Sequence, residues 1–191
     1  VILGPSQNQR MGPNRLRQLA NALTAGRALV GLPMLLALGS GHPAIAWCLL
    51  ALGGLSDAAD GWLARRAGGG SVWGARLDPL TDKILIAAPL LWLGASGVLP
   101  LWAVWLLLAR ELFISGWRAN QGSGGPASSS GKAKTILQFA ALLLLLWPAG
   151  WGLGLGLSPA LSGWLSSAGW WLFWPSLGLA LSSAWGYLRR G

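Results

Sequence analysis

Acidic side chains are nearly missing from this chain, with five in 191 residues against 14 lysines and arginines. Histidine and cysteine are rarer still, one each, at His42 and Cys48. A single cysteine excludes an intramolecular disulfide and leaves the redox compartment unmarked. One histidine and one cysteine also exclude a zinc centre built from the usual nitrogen and sulfur donors, and His42 reads as an ordinary loop residue. Charge of either sign is only 10% of the chain, while 53% is hydrophobic and gathered in long blocks. That distribution excludes a water-soluble domain and points to an integral membrane protein.

Six apolar blocks read as spans, over 19–39, 43–64, 75–97, 98–118, 134–150 and 168–188. The expected fold is all-α, a polytopic membrane protein with an N-terminal segment (1–18), a six-span domain (19–188) and a tail (189–191). The first block begins too far along for a simple signal peptide. The basic residues cluster before the first span (Arg10, Arg15, Arg17), around the second connection (Arg65, Arg66, Arg76, Lys83), around the fourth (Arg110, Arg118, Lys132, Lys134) and at the end (Arg189, Arg190), with Arg27 inside the first span. The remaining connections carry none, so both termini and the even connections are expected on the cytoplasmic side. Charge placed this way argues for anionic headgroups rather than nucleic acid.

Two glycine-rich stretches have no chemistry of their own. GSGGPASSSG, 122–131, reads as a flexible cytoplasmic loop, and GWGLGLGLSPALSG, 150–163, as a connection on the far side. The alternating glycines of the second lack the preceding strand and the cation of a nucleotide loop. The 14 tryptophans sit mostly near span ends, where indole suits the headgroup layer.

What acid there is lies almost entirely in one place. Asp57, Asp60, Asp78 and Asp82 fall within DAADGWLARRAGGGSVWGARLDPLTD, and only Glu111 lies elsewhere. Helical spacing puts Asp57 and Asp60 on one face at the end of the second span, and Asp78 and Asp82 on one face at the start of the third. An unpaired Asp at the bilayer centre costs on the order of 3 kcal/mol. Two carboxylates roughly 5 Å apart repel by about 3 kcal/mol at an effective dielectric of 20. Something positive must therefore sit between the pairs. Arg65, Arg66, Arg76 and Lys83 offer salt bridges, but a glycine-rich turn between two acid pairs fits one or two hard divalent cations in a cavity open to the cytoplasm better. Gly61 and Gly74 leave room for close approach, and metal, Arg65 and small residues together suit a diphosphate, hence a nucleotide-activated lipid.

Asp57, Asp60-Gly61, Ala64-Arg65, Gly74, Asp78 and Asp82, eight positions at fixed spacing, resemble in full the signature of the CDP-alcohol phosphotransferase family. The likeness runs from about Asn21 to about Thr135, and Asn21, Thr24 and Arg27 are similar to the family's Asn-x-x-Thr-x-x-Arg opening, with Ala20 where many members have proline. The resemblance implies a six-helix membrane enzyme that moves a phosphatidyl group from CDP-diacylglycerol to an alcohol and releases CMP. It implies Asp57, Asp60, Asp78 and Asp82 as ligands of two Mg2+ or Mn2+ ions, and Asp82 also as the base for the acceptor hydroxyl. Asn21, Thr24, Gly61, Arg65, Ser71 and Gly74 are implied at the CDP-diacylglycerol site.

Cations left over bear on the acceptor. Arg27, Arg110, Lys132 and Lys134 suit an acceptor that is itself phosphorylated. The words LDPLTDK, ARE and GKAKT resemble the branch that uses glycerol 3-phosphate. The runner-up is the branch that makes phosphatidylinositol phosphate. A cation transporter is the remote alternative, disfavoured because the third and fifth spans carry little polarity beyond Gln138. A bacterial inner membrane is the expected location, and a homodimer stays open.

Overall fold

The computed structural model describes residues 13–66, 72–120, 129–154 and 159–188. Among these the protein is all-helical. Its elements are α1 (Pro13–Gly39), α2 (Pro43–Arg66), α3 (Val72–Ala95), α4 (Leu101–Asn120), α5 (Ser129–Leu145), the short α6 (Ala149–Gly154) and α7 (Pro159–Leu188). At 1.5 Å per residue the six long helices measure roughly 26 to 45 Å. One stretch among the described residues, Gln18–Gly39, is by length and composition able to cross a membrane, and the apolar part of α5, Ala133–Leu145, is shorter.

Two short turns set the topology. After α1, Gly41 takes a left-handed φ of 76°. The Gly41 N–H then bonds the Leu38 carbonyl at 3.2 Å and the His42 N–H bonds that of Ala37 at 2.8 Å. This closes the last turn, and Pro43, which needs no N–H partner, opens α2. The same device recurs after α3, where Gly97 has φ 76° and Pro100 precedes α4. Turns this short force antiparallel neighbours. The start of α1, the end of α2 and the start of α3 therefore lie at one end of the bundle, and the two tight turns at the other.

α1 packs on α2 and α3, α5 packs on α7, and α4 bridges α3 and α7. Met34, Leu50, Leu90, Leu107, Leu142 and Phe173 fill the shared core. The α5–α7 approach depends on Gly169, where an added Cβ would lie 2.8 Å from the backbone nitrogen of Leu145. At Gly54 it would lie 2.3 Å from the Phe139 ring, which brings α5 against α2 one turn before Asp57.

Some expected boundaries move. The first helix begins at Pro13, inside the segment expected to precede the spans. Residues 150–163, read as a connection, contain most of α6 and the first turn of α7, which starts nine residues before the expected span. Ser129 to Gly131, read as loop, begin α5, and 121–128 lie outside the described residues.

Candidate active site

The site is built at the end of the bundle where α1 starts and α2 ends. On α1, Asn21, Thr24 and Arg27 recur at helical spacing and share one face. Arg27 is only 1% exposed. One of its terminal nitrogens bonds Asp57 Oδ1 and also Asp82 Oδ1, the latter at 2.5 Å, and the other bonds Asp60 Oδ2. Thr24 Oγ1 lies 3.1 Å from both Asp60 Oδ2 and the Ala20 carbonyl, so its one proton is shared between them. Among the described residues, the positive charge between the acids comes from Arg27 of α1. Arg66, one of the basic residues flanking the glycine-rich turn, stacks over Trp62 with its guanidinium carbon 4.0 Å from the ring centroid.

Burial is uneven. Asp60 is buried, while the side chains of Asp57 and Asp82 are 54% and 47% exposed. The carboxylate group is therefore closed at Asp60 and half open at Asp57 and Asp82. Among the described residues, which leave out the Asp78 side chain, no metal cluster of three His, Cys, Asp or Glu side chains is formed; Asp57, Asp60 and Asp82 meet the Arg27 guanidinium instead. Gly61 is on α2 directly after Asp60. Asp78, Arg65, Gly74 and Lys132 lie within helices α3, α2, α3 and α5, but their side chains and surroundings are outside the described residues, as Ser71 is altogether.

A second polar cluster joins α4, α5 and α7. Glu111, Lys134 and Arg110 are all nearly buried. Lys134 Nζ bonds Glu111 Oε1, and Arg110 donates to the same oxygen at 2.9 Å. The Arg110 Nε donates to the Ala180 carbonyl at 2.8 Å and its other terminal nitrogen to Ser183 Oγ at 2.5 Å. Three of its five N–H groups and one of the three on Lys134 are engaged this way. Glu111 is the residue sequence reasoning left without a role; being the lone acid outside the main stretch was the available signal. A groove of about 160 Å3 between α3 and α4 carries Lys83 and Glu111 on its walls, with Leu80, Ile84, Leu108 and Leu112 around them.

Comparison with known proteins shows the family. Residues 17–181 match the family described as CDP-alcohol phosphatidyltransferase. The chain is 39% identical over 156 residues to a Mycobacterium tuberculosis protein named "Probable phosphatidylglycerophosphate synthase", covering 78% of this chain and 75% of that one. It is 37% identical over 180 residues to the Streptomyces coelicolor "Cardiolipin synthase (CMP-forming)", covering 86% and 83%. It is 35% identical over 101 residues to the Bacillus subtilis "CDP-diacylglycerol--glycerol-3-phosphate 3-phosphatidyltransferase", covering 51% and 52%.

Proposed function

Because the chain belongs to the CDP-alcohol phosphatidyltransferase family, we propose that it transfers the phosphatidyl group of CDP-diacylglycerol to glycerol 3-phosphate, giving phosphatidylglycerophosphate and CMP. The observation that carries the reading is the convergence of Asp57, Asp60 and Asp82 from two helices in a half-open group. Relatives named for this reaction support the choice of acceptor.

The donor set fits hard divalent cations. It offers only carboxylate oxygens, and a guanidinium stands among them as a cationic stand-in. Asp57, Asp60, Asp78 and Asp82 hold the ions, Mg2+ or Mn2+. Bound there, they neutralise the diphosphate and make its phosphorus electrophilic. Asn21, Thr24, Gly61, Arg65, Ser71 and Gly74 line the CDP-diacylglycerol site. The glycerol 3-phosphate hydroxyl oxygen attacks the phosphorus that carries diacylglycerol, the bond to the CMP oxygen breaks, and Asp82 takes the hydroxyl proton. Arg27, Arg110, Lys132 and Lys134 receive the acceptor phosphate, with Glu111 fixing the positions of Arg110 and Lys134.

The six long helices are the spans, with both termini and the site on the cytoplasmic face of a bacterial inner membrane. Two observations support this. Large apolar side chains such as Leu29, Leu101, Trp105, Trp164 and Trp171 face outward, more than a water-exposed surface carries. In the sequence, connections that carry basic residues alternate with connections that carry none. Transfer of label from CDP-diacylglycerol to glycerol 3-phosphate by protein in liposomes, measured beside ion flux, tests the enzyme reading. Flux without transfer would overturn it.

A further inference from the structure

We propose that Arg27 is an internal counter-ion which holds the carboxylate site together without metal and must withdraw for metal to bind. The inference rests on the metal reading above. The guanidinium engages Asp57 Oδ1, Asp60 Oδ2 and Asp82 Oδ1 together, using both terminal nitrogens. A divalent ion held by these three residues would draw on the same oxygens. A guanidinium and a metal ion cannot share them, because both are cations and the planar fork fills the space between the carboxylates.

Charge favours the exchange. A divalent ion carries twice the charge of the guanidinium, so it attracts each of the carboxylates that Arg27 bridges, Asp57, Asp60 and Asp82, more strongly. Geometry provides the route. Arg27 is buried, while Asp57 and Asp82 are about half exposed, so an ion enters from the side opposite the α1 backbone. Once released, the guanidinium is a cation beside a filled metal site, placed to receive phosphate. One arginine thus serves carboxylates before metal loading and a phosphate after it, which orders metal before substrate.

The test uses the 191-residue chain in nanodiscs with Mn2+ alone as probe, free Mn2+ being read by electron paramagnetic resonance. Arg27→Gln should bind Mn2+ roughly tenfold more tightly than the wild type, the worth of about one charge-assisted hydrogen bond that no longer has to be displaced. Its metal-free form should melt lower, and Mn2+ should raise its melting temperature more than it raises that of the wild type. Equal or weaker Mn2+ binding by Arg27→Gln overturns the proposal while leaving the metal site standing. Binding by neither protein overturns the metal reading itself. If Arg27→Gln does not fold, phenylglyoxal modification of Arg27 in the wild type decides: Mn2+ should raise it several-fold, and unchanged protection overturns displacement.

Discussion

Replacing Glu111 with glutamine removes one charge and almost no volume, and the structure makes its cost large. Glu111 Oε1 receives both Lys134 and Arg110, and all three side chains are under 10% exposed, so water cannot take over for the lost charge. Breaking a buried ion pair from one side costs about 3 to 5 kcal/mol. The glutamine oxygen still accepts a hydrogen bond, and polar contacts within membranes average nearer 0.6 kcal/mol, so the expected loss is about 2 to 3 kcal/mol. For a chain of this size that lowers the melting temperature by roughly 4 to 12 °C. Thermal unfolding in detergent, followed by the fluorescence of the 14 tryptophans, reads the shift. A cycle with Lys134→Gln isolates the pair, and a coupling of about 1 kcal/mol or more is expected between contacting residues. If Glu111→Gln melts within a degree of the wild type and the cycle shows no coupling, the cluster does not tie α4 to α5.

Asp57→Asn should abolish nearly all turnover while leaving expression and membrane insertion intact; activity above about a tenth of wild type at saturating Mg2+, a loss under roughly 1.4 kcal/mol, would remove it from the metal set. Asp82→Asn should lower the catalytic rate about a hundredfold or more, with CDP-diacylglycerol binding much less affected, and equal loss of both would make it a ligand and not a base. Gly169→Ala should destabilise by about 1 to 3 kcal/mol because its Cβ meets the α5 backbone. Gly178→Ala, on the same helix with nothing within 4 Å, should stabilise by up to about 1 kcal/mol, so the two melts should move in opposite directions.

How much of this was legible in the sequence depended on range. Asp57 with Asp60, and Asn21 with Thr24 and Arg27, are related by local helical spacing, so their shared faces could be read directly. That Arg27 would sit among Asp57, Asp60 and Asp82 could not, because the contact spans 30 to 55 positions and depends on how α1 packs against α2 and α3. The need for a positive charge between the acids was legible; the part that Arg27 takes in it was not, since Arg65, Arg66, Arg76 and Lys83 are nearer along the chain. Glu111 was visible as the lone outlying acid, but its link to Lys134 and to the α7 partners of Arg110 arises only from tertiary packing. The helical residues within 150–163 were missed because alternating glycine and leucine read as a turn. There, helix α6 packs Trp151 edge-to-face against Trp147 and against Trp47 of α2, with ring centroids 5.7 and 5.1 Å apart, and that packing outweighs the low helix propensity of glycine.

The central claim is the acceptor, and a panel of acceptors tests it most directly. Purified protein with CDP-diacylglycerol and Mg2+ would be given glycerol 3-phosphate, inositol phosphate, inositol, serine or phosphatidylglycerol in turn, with CMP release and the lipid product measured for each. The account predicts CMP release with glycerol 3-phosphate and phosphatidylglycerophosphate as the product, with the other four at background. Preference for phosphatidylglycerol, the outcome that a cardiolipin-forming activity would give, or for inositol phosphate, would contradict it.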